Sequence, residues 1–257
     1  DLFLLDAGAE TKEHYAGDLS STMPVSDHFT SQQAEIYNIH LDSFQAAVDC
    51  LKPGVPFRDA HIAAATRIAE GMKSLGLMKG DPAEAAESGA YALFFPCGLG
   101  HMMGLDVHDM ENFGEVNVGY EEGRTKSTLF GWKSLRLAKA LEPGFVFTVE
   151  PGIYFIPDLI DKWRAEKQFT DFICYDKLEN WKSFGGMRGE EAVQAVSYFI
   201  DDAVVCNVHN LRILHGTGNG ILRTLVRQYL STMPFVKHFH DEHVQFGGAG
   251  ITVVELE

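Results

Sequence analysis

Cysteine is scarce in this chain and poorly spaced for chemistry. The four residues, Cys50, Cys97, Cys174 and Cys206, are scattered, and no two stand at the close spacing of zinc ligands. A reducing compartment, the cytoplasm, is the expected setting. Cationic charge is also in short supply. Lys and Arg number 21 against 36 Asp and Glu, a formal net charge of −15, which excludes a general affinity for nucleic acid or an anionic bilayer. No signal-peptide pattern and no apolar run of about 18 residues is present, so no membrane partner is expected. Repeats, low-complexity stretches and Gly/Ser linkers are missing as well.

What is present is a chain of 257 residues, 46% apolar, enough for one large domain or a medium and a small one. Asp1-Leu2-Phe3-Leu4-Leu5-Asp6 reads as a strand already under way, which predicts a start inside a longer chain. Residues 15–25, with Asp18 among them, read as a returning strand. Thr30 and Gln33 form a capping box, followed at near-helical spacing by Ile36, Ile39, Phe44, Ala47, Val48 and Leu51. Lys52-Pro53-Gly54 stops that helix. A second helix is predicted over Phe57–Leu75 and a short one over Lys133–Leu141, ended by Glu142-Pro143-Gly144. Phe145–Val149 reads as a dense apolar strand, and residues 158–184 as a surface excursion containing a helix.

Past Gly186 the rhythm changes. A helix at about Glu190–Val205 is followed by a strand Leu211–Leu214, the turn His215-Gly216-Thr217-Gly218-Asn219-Gly220, a helix to about Tyr229, and strands Val236–Phe239 and Ile251–Leu256. That alternation suits a separate small α/β layer, with a boundary near 184–188.

Asp6, Asp18, His101 and Glu150 each stand at or just after the end of an extended apolar segment, where a side chain is held rigidly yet faces open space. Asp6 and Asp18 lie on segments able to pair as a hairpin. Carboxylates with a single imidazole favour Mn²⁺, Co²⁺ or Zn²⁺, and two such ions about 4 Å apart need bridging carboxylates. Taken singly, a strand-end Asp is more often a turn former and a buried His a satisfied core group.

The strings around these residues remove that ambiguity. Asp6-Ala7-Gly8-Ala9-Glu10, Tyr15 to Thr22, Gly98-Leu99-Gly100-His101 to Asp109, and Thr148-Val149-Glu150-Pro151-Gly152 occur in this order. Together they closely resemble the proline dipeptidase and Xaa-Pro aminopeptidase family of pita-bread metallopeptidases. The resemblance implies two divalent ions, Mn²⁺ foremost with Co²⁺ or Zn²⁺ as alternatives, and hydrolysis of the bond before a proline in a peptide substrate. It implies Asp6, Asp18, His101 and Glu150 as metal ligands, with Glu150 also catalytic as a proton shuttle. By the same resemblance His108 would contact substrate and steady the tetrahedral intermediate, Arg188 would be a substrate-side arginine, and Glu190, in Gly185-Gly186-Met187-Arg188-Gly189-Glu190, would be the candidate fifth ligand. Cys97 stands where that family usually has a histidine that binds no metal.

A second resemblance begins at the same string. Gly186 to Ala192, His215 to Arg223, and Gly247 to Leu256 look like the small MutS-related (Smr) domain, associated with DNA nicking or RNA cleavage. It implies nucleic-acid contacts through His215, Gly216, Gly218 and Arg223. The expected fold is therefore a partial α+β pita-bread, lacking its N-terminal part, over 1–186, followed by a small α/β Smr-like domain over 187–257. A homodimer is a further expectation. The competing functions are a metallopeptidase, a nucleic-acid module in 187–257, and an inactive chimera. His238, His240 and His243 invite a metal reading, but with no Cys or carboxylate at matching spacing a solvated strand face is preferred.

Overall fold

The computed structural model describes residues 2–182, 184, 196–197, 199–200, 203–204, 208–215, 220–243 and 248–257. Arg188, Glu190, Gly216 and Gly218, and with them most of the helix expected at 190–205, lie outside the described residues. The chain divides into two units, Thr30–Phe184 and Asp1–Phe29 with Gly185–Glu257.

In the first unit, α1 (Ser31–Asp49) starts at the capping box read from sequence: Thr30 Oγ1 accepts from the Gln33 amide at 3.2 Å, and Gln33 Oε1 accepts from the Thr30 amide at 2.9 Å. Such a cap is worth about 1 kcal/mol. After the turn at Gly54, α2 (Phe57–Ser74) buries Phe57, Ala60, His61, Ala64, Ala65, Ile68, Ala69 and Met72, one stripe at helical period. Half of these are alanines, so α1 and α2 approach closely. At Gly71 a Cβ would collide with Ile39 of α1. Asp81 caps α3 (Pro82–Ser88), and Ala90–Phe95 then runs fully buried beneath α2. Each large apolar side chain sealed there contributes roughly 1.5–3 kcal/mol. This core supports the segment that carries His101.

The short helix expected over Lys133–Leu141 does not form. A single 3₁₀ turn, Trp132–Ser134, is followed by extended chain. The amides of Ala138 and Lys139 donate to the Gly119 carbonyl, at 2.8 and 3.0 Å, rather than back along a helix. Tyr120 Oη donates to the Leu135 carbonyl at 2.8 Å. Leu135 and Leu137 are buried at a two-residue period, which is strand-like. The strand expected at Phe145–Val149 is likewise reduced to extended chain with one bridge, Met102 to Phe147. The surface excursion keeps its helix, α4 (Pro157–Ala165), whose Ile160 and Trp163 are buried.

In the second unit, β1 (Leu2–Ala7) and β2 (Leu19–Pro24) form an antiparallel hairpin with Asp6 opposite Ser20. Further along, β3 (Asn210–Leu214), β4 (Val236–Asp241) and β5 (Ile251–Leu256) form an antiparallel sheet in the order β3-β5-β4. Thr252, Val254 and Leu256 face inward against a core with Val196, Ile200, Val226 and Leu230. Helix Ile221–Leu230 covers that face. Among the described residues no helix is long and apolar enough to cross a membrane.

Candidate metal centre

Glycine sets the first pair of carboxylates. A Cβ at Gly8 would strike the Gly17 carbonyl, and one at Gly17 would come within 2.9 Å of the Ala9 carbonyl. The Gly17 amide donates to Ala9 O at 2.7 Å. Backbones this close admit only glycine. Their crossing fixes the loop leading into Asp18. Asp18 stands two residues before Ser20, the cross-strand partner of Asp6, so the period of extended chain places both acids on one hairpin face. Both side chains are half-buried.

In the first unit, residues 99–103 run antiparallel to 146–150. Glu150 N donates to Leu99 O at 2.7 Å, Thr148 N to His101 O at 2.9 Å, and Met103 N to Val146 O at 3.0 Å. A regular ladder fails at His101, whose amide donates to the Thr148 hydroxyl at 3.0 Å instead of to a carbonyl. That hydroxyl in turn donates to Glu150 Oε1 at 2.7 Å. Gly98 and Gly100 permit the approach: a Cβ at Gly98 would lie 2.5 Å from Ser134 O, and one at Gly100 would overlap Thr148 O.

His101 is 4% exposed. Its Nδ1 lies 3.0 Å from Met102 O, and a carbonyl can only accept, so Nδ1 donates there and Nε2 is the nitrogen turned toward Glu150. Nε2 lies 3.2 Å from Glu150 Oε1. Glu150 is far more open than His101, with 38% of its side chain exposed. The His108 ring meets the His101 ring edge-on, with centroids 4.3 Å apart. Behind it, His108 Nδ1 is 3.9 Å from Glu111 Oε2, and Glu111 is paired with Arg136. Burial raises the Glu111 carboxyl above its usual range, while Arg136 pulls the other way.

Three of these positions escaped the sequence reading. Thr148 links His101 to Glu150 but looks like an ordinary β-branched strand residue. His40 of α1 donates through Nε2 to Pro151 O at 2.8 Å, anchoring the turn after Glu150. Burial holds its imidazole below the usual value, which keeps it neutral. Glu111 sits in an acidic run that reads as a solvated loop.

The residues assigned to nucleic acid sit differently. Arg223 is held bidentately by Asp241, its Nη2 at 2.8 and 2.6 Å from the two carboxylate oxygens, and Arg227 Nη2 reaches the same carboxylate at 2.6 Å. His215 Nε2 is 2.9 Å and Arg227 Nε 3.0 Å from Thr252 Oγ1. The Asp241 carboxyl is accordingly lowered, first by its hydrogen bond with Arg223.

A buried imidazole presenting its Nε2 beside a carboxylate fits the donor chemistry of a divalent-metal centre in an α+β protein. The comparisons agree with that class. The chain belongs to metallopeptidase family M24, whose family model matches residues 1–222 and so runs past residue 186. It is 37% identical over 193 residues to the Xaa-Pro dipeptidase of Homo sapiens, covering 75% of this chain and 38% of that one. A probable Xaa-Pro aminopeptidase of Botryotinia fuckeliana is 37% identical over 190 residues, covering 74% and 39%. Zinc-substituted aminopeptidase P of Escherichia coli, solved with product, is similar with a TM-score of 0.50 and 38% identity over 62% of this chain and 31% of that one. Aminopeptidase PepP of Pseudomonas aeruginosa has a TM-score of 0.50 and 35% identity over 67% and 34%. The fold is thus, in part, the α+β pita-bread type. The chain spans about 38% of the length of the curated relatives it matches.

Proposed function

We propose that this chain hydrolyses peptide bonds preceding proline, in dipeptides or at peptide N-termini, with two divalent ions, Mn²⁺ foremost. The observation that carries this reading is the buried His101 imidazole, its Nε2 facing Glu150 Oε1 at 3.2 Å and its Nδ1 tied to Met102 O. The proposed ligands are Asp6, Asp18, His101, Glu150 and Glu190. Their four carboxylates match the four positive charges of two divalent ions. When bound, such ions polarise the scissile carbonyl and acidify a water.

The side chains divide the remaining work. Glu150, reached by solvent, takes the proton of the attacking water at a carboxylate oxygen and passes it to the leaving amine. The Thr148 hydroxyl holds that carboxylate in register with His101. His108, packed on His101 and backed by Glu111, donates a hydrogen bond to the oxygen that gains charge in the tetrahedral intermediate. Arg188 contacts the substrate. A purified chain should bind metal and release proline from a Xaa-Pro dipeptide or an N-terminal residue from a Xaa-Pro peptide. Glu150→Ala should lower that rate by about 10²–10⁴-fold, the usual range for a lost general base. Undiminished turnover in that variant would overturn the assignment.

A second reading, nucleic-acid contact through 187–257, draws on the gathering of His215, Arg223 and Arg227 beside the start of helix Ile221–Leu230. With one Asp241 between two arginines the cluster keeps a local excess of one positive charge. DNA binding that weakens with added salt and is lost in Arg223→Ala would support it. No binding at low salt would remove it.

A further inference from the structure

The start of α2 opens on a cavity that the peptidase reading does not use. Its volume is about 530 Å³, within the usual span of small-molecule sites. The first turn of α2, the end of α3, Tyr120 and stretches of the chain between Trp132 and Lys139 form its walls, all within the Thr30–Phe184 unit. Backbone ties the walls to each other: the Phe57 amide donates to Lys139 O at 2.9 Å, and the Gly54 amide to Leu141 O at 2.8 Å.

Two groups on these walls lack an acceptor. Trp132 is 6% exposed, yet its indole Nε1 has no hydrogen-bond partner among the described residues. Buried N–H groups are rarely left so. The Arg58 guanidinium lies 5.0 Å from the centroid of the same indole and makes no ion pair with a described residue. Pro56 gives α2 no side-chain cap, so the positive end of the helix borders the same space.

The remaining charges decide what kind of acceptor fits. Lys126 is paired with Glu115, and Arg124 with Glu121 at 3.5 Å. Arg58 and Lys139 are then the lining cations, and Asp59 and Glu87 the lining anions, with no ion pair to a described residue. Lys139 Nζ lies only over the Phe145 ring, 4.7 Å from its centroid. A bare anion would meet two uncompensated carboxylates here. A ligand with one carboxylate and one ammonium leaves the walls in balance.

We propose that this cavity binds a free amino acid as its zwitterion, the carboxylate at Arg58 and Trp132 Nε1 and the ammonium at Asp59 and Glu87. The planar guanidinium is suited to a carboxylate, which it can hold through two parallel hydrogen bonds. Amino acids are the product class of the proposed peptidase, so the cavity is a second place for product on the chain. It shares no residue with the proposed metal centre, and its binding is measured apart from turnover.

The test is calorimetry of the full chain, supplied with Mn²⁺, using L-proline as the probe, with tryptophan fluorescence in parallel. One proline-binding event should be weakened about tenfold or more in Arg58→Gln and kept in Glu150→Ala. The accompanying fluorescence change should vanish in Trp132→Phe and persist in Trp181→Phe. Proline methyl ester, N-acetylproline and inorganic phosphate, none of which carries both charges, should each bind this site at least tenfold more weakly than proline. Should Arg58→Gln fail to fold, Glu87→Gln, at an exposed position of α3, should weaken the same event. No proline binding to the unmodified chain, or binding unchanged in both variants, would overturn the proposal. Phosphate or N-acetylproline bound as tightly as proline would also overturn it, making the cavity a plain anion site. Xaa-Pro hydrolysis without added proline should not differ between Arg58→Gln and the unmodified chain.

Discussion

Residues 99–103 with 146–150 and the C-terminal sheet both bring His and acidic side chains together, but they hold them in opposite ways. Around His101 the imidazole is buried, one nitrogen is tied to a carbonyl, and the nearby carboxylate is steadied by the Thr148 hydroxyl. At Arg223, Arg227 and Asp241 two guanidinium groups share one carboxylate near the surface. The difference teaches which polar clusters are prepared for a ligand. In the first, a buried imidazole and a solvent-reached carboxylate are turned toward each other in a rigid setting. In the second, the ionic groups have already satisfied each other.

Ways to break that contrast follow in order of size. Glu150→Ala removes the open carboxylate and should have the largest effect, on turnover. Next comes the buried histidine of α2, which meets Tyr91 at 2.7 Å. Burial, with a contribution from Arg58, holds the His61 imidazole down to about 3, against 6.5 in an unfolded chain. Below pH 6.5 the unfolded chain takes up a proton that the folded one refuses. Stability that is fully present above that pH is therefore lost as pH falls toward 3, by about 1.4 kcal/mol per unit. Urea midpoints at pH 7 and pH 5 should differ accordingly, and His61→Phe should shrink the difference. Thr148→Val keeps the shape but removes the hydroxyl between the His101 amide and Glu150. It should weaken metal binding by about 10–100-fold, measured by competition with a chelator, while Tm changes little. Thr30→Ala, far from the chemistry, should cost about 1 kcal/mol in urea unfolding and leave metal affinity alone. If Thr148→Val and Thr30→Ala had the same profile, the distinction between a prepared site and a merely folded one would fail.

Much of this was legible before any coordinates. The capping box at Thr30 and the breaker at Lys52-Pro53-Gly54 are local signals, and α1 obeys them. The string Gly98-Leu99-Gly100-His101 is legible as a motif, but that its glycines mark a close backbone crossing appears only where a Cβ would meet Ser134 or Thr148. Other features depend on partners far along the chain. Residues 133–141 have enough apolar side chains for a helix, but Gly119 O takes the amides of Ala138 and Lys139 and draws the segment out. Thr148, His40 and Glu111 carry no motif. Their roles appear only when the hydroxyl, the turn carbonyl and the arginine they meet are in place.

The most direct measurement is a Mn²⁺ titration of the full chain read by EPR, alongside Asp18→Ala and His101→Ala. Two ions bound per unmodified chain, with at least one lost in each variant, is the result expected of the proposed ligand set. Manganese binding that is absent from the unmodified chain, or unchanged in both variants, would contradict it.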